Sequence, residues 1–241
     1  MRFLHTADWH LGRIFYGQYL TEDQAHVLEK QFFSILKDEK IDGILLAGDV
    51  FDRAVPPIEA VELWDSIITR LAMDYKVPLF VVSGNHDGAE RLEVGRSMLS
   101  RSGIHIWGSP HHALQPFEFE GADGKVAICP MPFSEPRRIG DALGLGATVS
   151  KSVDIDMTED SLFSYVETNK QEPVSLNLHN YDQMYQAWSD YLYKQVPKGM
   201  RSIAISHAFV MGGEVGGSER TLSVGGSEQV SPQVFKDFHY T

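Results

Sequence analysis

The stretch VPLFVVSGNHDG, residues 77–88, runs from a mainly apolar segment straight into a glycine, an amide, an imidazole and a carboxylate. An apolar run of this length, bounded by turn residues, reads as a buried strand. Gly84, Asn85, Asp87 and Gly88 all favour turns, so ordinary turn chemistry would account for the loop if it stood alone. Similar strand ends recur elsewhere in the chain.

Working outward, RFLH (residues 2–5) leads into Asp8-Trp9-His10, DGILLA (42–47) leads into Gly48-Asp49 with Asp52 close behind, and SIAIS (202–206) leads into His207. Between these runs lie helical patterns. Leu28, Phe32, Ile35 and Leu36 share one face near 22–39, and Val61, Trp64, Ile68, Leu71 and Tyr75 share one near 58–75. Further short strands are predicted at IHIW (104–107), FEFE (117–120) and KVAICPM (125–131), with turns at Gly108, Gly121 and Gly124. Strand alternating with helix predicts an α/β sheet covered by helices, with the polar loops collected beyond the carboxyl ends of the strands.

The chain has 241 residues, 43% of them hydrophobic, which suits one main domain. Its one cysteine, Cys129, rules out an internal disulfide framework and fits a reducing, cytoplasmic setting. The opening MRFLHTADWH is too short an apolar stretch for a signal peptide, and no run approaches the roughly 18 apolar residues of a membrane span. A net charge of −12 argues against a generally basic nucleic-acid surface, although acidic groups gathered around bound cations contribute to it. From about 140 the character changes: GDALGLGATV precedes an acidic stretch and then YDQMYQAWSDYLYK. There Tyr181, Tyr185, Trp188 and Leu192 recur at helical spacing, so a helix packed on the sheet is expected.

Asp8, His10, Asp49, Asn85 and His207 together offer carboxylate, amide and imidazole ligands at successive strand ends. A pair of divalent cations roughly 3.5 to 4 Å apart needs such a mixed set, with one carboxylate able to bridge, and Asp49 is the choice for that bridge. Gly48 and Gly84 permit close backbone turns immediately before a ligand. The donor set suits Mn²⁺, Fe²⁺ or Zn²⁺, and the lack of cysteine near these loops disfavours a structural zinc site. Taken singly, Asp-x-His or Gly-Asp says little, and a lone His207 would read as a satisfied histidine at a strand end. The joint pattern carries the reading.

The segments DWH, GDVFD, GNHD and the histidine of SHAF resemble the motifs of the calcineurin-like metallophosphoesterases. That resemblance implies a β-sandwich flanked by helices with a dinuclear centre at one edge. TADWHLGR, GDVFDRAVPP and GSERTLSVGGSEQVS (217–231) are similar to the DNA nucleases of that family that work with an SMC-family ATPase. Carried over by residue, it makes Asp8 and His10 ligands of one cation, Asp49 the bridge, and Asn85 with His207 ligands of the other. His86 is left free to act on the scissile phosphate, with Asp52 orienting it and Asp87 fixing the turn. The resemblance implies Mn²⁺, with Mg²⁺, Fe²⁺ and Zn²⁺ as alternatives. It also implies double-strand exonuclease and single-strand endonuclease activity in DNA repair and recombination.

It further implies a homodimer joined through helices near 58–75 and 90–101, to which Ile58, Leu63, Ile67 and Met98 would contribute, with ordinary packing on the sheet as the alternative for each. Arg13, Arg53 and Arg91 are candidate phosphate contacts. The sequence ends at VFKDFHYT, where the resemblance would next expect a strand leading into Gly-His-x-His. The expectation is therefore a nuclease domain over 1–241 that stops short of two ligand histidines and of the capping and ATPase-binding region. His239 is not expected to substitute. Two rival readings are a phosphatase or small-molecule phosphodiesterase on the same scaffold, favoured by the acidic balance, and a non-catalytic dimeric scaffold.

Overall fold

Alternate residues of the central strands face two different cores. The computed structural model describes residues 1–121, 123–145, 178–212 and 229–241. Strand β1 (Phe3–Thr6) is followed by a small hairpin of β2 (Ile14–Phe15) and β3 (Gln18–Tyr19), then by β4 (Gly43–Ala47), β5 (Leu79–Val82) and β6 (Ile104–Trp107). Apart from the hairpin these form one parallel sheet in the order β1-β4-β5-β6, with Leu45 opposite Phe80 and Leu46 opposite Val81. Leu45, Ala47, Phe80 and Val82 enter a core shared with a second sheet, whereas Ile44, Leu46, Leu79 and Val81 enter a core shared with helices. A parallel sheet buried on both faces explains why these strands read as nearly continuous apolar runs.

The second sheet comprises β7 (Phe117–Gly121), β8 (Gly124–Met131) and β9 (Arg201–Ser206), with β7 antiparallel and β9 parallel to β8. Val126, Ile128, Ile203 and Ile205 from it join the shared core. Two facing sheets with helices outside them are the expected sandwich. The helix Tyr181–Tyr193 packs on the second sheet; Asn180 caps it by accepting the Gln183 N–H at 2.9 Å. Its Met184, Tyr185, Trp188 and Leu192 are fully buried, and the Trp188 indole N–H donates to the Ala113 carbonyl at 3.0 Å. The aromatic spacing thus marks core, each such side chain contributing roughly 1.5–3 kcal/mol of burial.

Helices on the outer face of the first sheet depart from simple periodicity. The predicted helix 22–39 is interrupted by a π turn at Leu28–Phe32, where the Phe33 N–H reaches back five residues to the Leu28 carbonyl. Leu28, Phe32 and Leu36 are buried as expected, but the π turn brings Phe33 into that face and leaves Ile35 exposed. The helix Ile58–Arg70 also runs into a π turn, Leu71–Tyr75, and Ile67 rather than Val61 faces the core. The helix expected near 90–101 is broken into Ala89–Leu92 and Arg96–Leu99 by Gly95, whose φ of 76° is left-handed.

These packings sort the four residues expected at a dimer face. Ile67 is only 2% exposed and belongs to the core, which corrects its assignment to the surface. Leu63 is half-buried, whereas Ile58 and Met98 are 73% and 77% exposed. Residues 217–228 of GSERTLSVGGSEQVS, and 146–177 with the end of the glycine-rich segment and the acidic stretch, lie outside the described residues. No helix among the described residues is long and apolar enough to cross a membrane.

Candidate metal centre

Beyond the ends of β1 and β4 the two chains continue side by side. The Asp8 N–H donates to the Gly48 carbonyl at 3.1 Å, the His10 N–H to Asp49 at 2.9 Å and the Leu11 N–H to Val50 at 2.9 Å. Asp8, His10 and Asp49 hold left-handed backbones, with φ of 55°, 45° and 49°. Asp and His enter that region more readily than other non-glycine residues, and here the surroundings hold all three in it. The enforcing contacts here are the paired loops and Asp87. Its carboxylate accepts the N–H groups of Gly84 at 2.8 Å, Phe51 at 2.9 Å and Val50 at 3.1 Å, tying the loop after β5 to the loop after β4. Burial pushes the Asp87 carboxyl up to about 6, against the pull of those three donors.

Asp49 lies at the middle, 3% exposed. Its Oδ1 accepts the His86 N–H at 2.9 Å. Its Oδ2 faces three imidazoles, with His10 Nε2 at 3.6 Å, His207 Nε2 at 3.7 Å and His86 Nε2 at 4.0 Å. These separations are too long for hydrogen bonds. Two glycines make the approach possible: a Cβ on Gly84 would overlap the Asp49 carboxylate, and one on Gly48 would overlap the His207 ring.

The far side of each ring fixes what faces inward. His207 Nδ1 lies 2.9 Å from the Ala47 carbonyl, and His86 Nδ1 lies 2.8 Å from the Asp52 carbonyl. A carbonyl only accepts, so Nδ1 carries a proton in each ring, and Nε2 is the atom turned toward Asp49. His207 Nε2 also lies 3.0 Å from the Asn85 Oδ1. Burial, the largest influence, lowers the His10 pKa and so favours its neutral form. Imidazole nitrogens and carboxylate oxygens turned on one another beyond hydrogen-bond reach, with the second nitrogens of His86 and His207 held by carbonyls, fit divalent cations. Asp8, Asp49 and His207 can share one ion and His10, Asp49 and His86 another, so Asp49 is common to both groups.

The sequence profile of the calcineurin-like phosphoesterases matches residues 1–224. The chain belongs to that family. The SbcD subunit of the nuclease SbcCD from Staphylococcus epidermidis is 30% identical over 240 residues, covering all of this chain and 55% of the relative. The chain therefore spans about half the length of the curated relative it matches.

The candidate centre opens onto a cleft of about 300 Å³, lined by Asp8, His10, Asp49, Asn85, His86 and His207 together with His5, Ser206, alanines and Phe209. Asp52 stands apart from that lining; its carbonyl holds His86, and its carboxylate oxygen lies 3.5 Å from the buried His10 Nδ1. Arg13, Arg53 and Arg91 do not line the cleft either. Arg13 is half-buried, Arg53 is exposed, and Arg91 donates from Nη1 to the Ala54 carbonyl at 2.9 Å. His239 is engaged elsewhere, its Nδ1 accepting the Ser202 N–H at 3.2 Å while Tyr240 pairs with Ile203. Sequence reasoning missed the Asp52 main chain, whose role no residue type signals, and the cleft-lining His5, Ser206 and Phe209.

Proposed function

We propose that the chain is the nuclease portion of a metal-dependent DNA exonuclease and endonuclease. In this reading it acts in repair and recombination in the cytoplasm, as a homodimer with an SbcC-like SMC-family ATPase. The observation that carries the proposal is the convergence of three imidazole Nε2 atoms on Asp49 Oδ2, 3.6 to 4.0 Å away. The choice of DNA rests on 30% identity, along the whole chain, to a protein named as part of a nuclease. That name also motivates the choice of partner.

Asp8 and His10 would hold one cation, Asn85 and His207 the other, and Asp49 both; this pairing regroups the close sets Asp8-Asp49-His207 and His10-Asp49-His86 so that His86 stays free to hold a proton. Bound there, a pair of Mn²⁺ ions, or Mg²⁺, Fe²⁺ or Zn²⁺ in their place, would supply Lewis acidity toward the phosphoryl oxygens and a nucleophile at neutral pH. His86, with Nδ1–H fixed on the Asp52 carbonyl, presents Nε2 to the cleft and can hold there the proton that the leaving oxygen requires. Asp52 serves this role through its main chain, and its carboxylate oxygen lies 3.5 Å from the His10 Nδ1. Asp87 holds the loops in register.

A second reading, hydrolysis of a small phosphoester, draws support from the net charge of −12 and from a cleft whose described lining contains no lysine or arginine. Incubating the Mn²⁺-loaded chain with linear duplex DNA and circular single strands, beside p-nitrophenyl phosphate and a cyclic nucleotide, separates the two. Breakdown of both DNAs, lost in His86→Gln, is the expected result. Turnover of the small esters alone would overturn the nuclease reading.

A further inference from the structure

Phe209 breaks the chemical pattern of the cleft. The other described residues of its wall are ionisable, polar or alanine, and Phe209 is the only large apolar side chain among them. Its ring is half-buried, leaving part of it open. It is also well held. Phe209 pairs with Gln229 in the short ladder of β10 (Phe209–Val210) and β11 (Gln229–Val230). The Phe133 ring meets it edge-on at 6.1 Å and 82°, and the same Phe133 ring meets His207 at 6.5 Å and 80°. The Phe133 N–H in turn donates to the Ser83 carbonyl at 2.9 Å, at the end of β5. Phe133 thus sets the Phe209 ring at a fixed offset from a metal-facing imidazole.

A phosphodiester entering this cleft finds no lysine or arginine among the described wall residues, on a chain of net charge −12. Among the described wall residues, attraction for the backbone falls to bound cations, and the remaining contact of any size is an aromatic face. Nucleobases stack on such faces without regard to sequence.

We infer that Phe209 is a base-stacking residue, receiving the nucleobase next to the scissile phosphate, and that it makes this centre selective for nucleotide-bearing phosphodiesters over esters without a base. The inference rests on the nuclease reading and narrows it: the substrate is recognised through one flanking base, and sequence preference is weak. Phe209 binds substrate and takes no part in proton transfer.

The test uses the Mn²⁺-loaded chain and two single-stranded, fully phosphorothioate-linked oligonucleotides, one carrying 2-aminopurine at its terminal nucleotides and the other abasic there. Wild type is expected to quench 2-aminopurine fluorescence and to prefer the base-bearing strand by about fivefold or more, the low end of what loss of one base–aromatic stack costs. Phe209→Ala and Phe209→Leu should both lose the quenching and the preference, and Phe209→Trp should keep them. On ordinary oligonucleotides the loss should fall on KM more than on kcat. Leucine retains bulk against Phe133, so it separates stacking from packing, and the thermal midpoint of each variant shows whether it is folded. Preference retained by Phe209→Leu, or equal binding of both strands by a wild type that cleaves DNA, overturns the stacking role and leaves the nuclease reading standing. No binding or cleavage of any strand, with p-nitrophenyl phosphate hydrolysed, overturns both.

Discussion

Gly84 stands so close to Asp49 that a side chain on the glycine would occupy the space of the carboxylate. The two residues come from different strand ends, and the absent Cβ lets the loop after β5 close over the loop after β4. Replacing Gly84 with alanine should push Asp49 away from the three imidazoles. The expected result is a loss of Mn²⁺ affinity of at least tenfold, comparable to disruption of supporting contacts at other metal sites. Calorimetric titration checks it, and unchanged affinity would mean that the loop yields without moving Asp49.

Asp49 is common to both candidate ion groups, so its replacement should remove both ions together. Titration of wild type is expected to resolve a pair of bound Mn²⁺ ions by electron paramagnetic resonance, with spin coupling between them. Asp49→Asn should bind neither tightly. A variant that keeps one ion at wild-type affinity would show that the carboxylate does not bridge.

The Asp87 carboxyl, raised to about 6 by burial, gives a pH signature of its own. An acid whose folded pKa lies above its unfolded value of about 3.9 leaves the native state holding more protons than the unfolded state between those limits. Its contribution is therefore fully present below about pH 4 and is lost as pH rises through about 6, by roughly 2–3 kcal/mol. Asp87→Asn cannot titrate. Urea melts in EDTA at pH 4.5 and 7 should show wild type losing stability relative to this variant as pH rises; a constant difference would contradict the assignment.

Ile67 and Met98 should behave oppositely. Ile67 is 2% exposed, so Ile67→Ala should cost about 2–5 kcal/mol by opening a cavity beneath the sheet. Met98 is 77% exposed, so Met98→Ser should shift monomer stability by less than about 0.5 kcal/mol. Chemical denaturation measures both, and sedimentation of Met98→Ser with Ile58→Ser reports whether that face associates. Unaltered self-association would remove these residues from the dimer face.

Much of this arrangement is legible in the sequence because it rests on patterns that repeat. The runs RFLH, DGILLA and VPLFVVS alternate with amphipathic helices, and each ends on an oxygen or imidazole donor, so both the sheet and the position of the centre follow. The helix faces are less legible. One π turn is enough to bury Phe33 and expose Ile35, and nothing in the spacing of apolar residues announces an i→i+5 bond. Three arginines near the motifs suggest phosphate contacts, yet charge alone does not say whether a guanidinium turns toward a cleft or, like Arg91, toward a nearby carbonyl. Asp52 illustrates a deeper limit: its contact with His86 is through the main chain, which every residue type possesses.

The left-handed backbones of Asp8, His10 and Asp49 carry a further consequence. A conformation that these residues would abandon in a free peptide is a spring wound by folding, and the donor atoms are aimed by that tension rather than by soft side-chain rotation. Short synthetic copies of the three loops, however faithful in sequence, should therefore be poor chelators. Glycine introduced at any of the three would slacken the spring and at the same stroke remove a donor, so each of these positions carries strain and ligand in one residue.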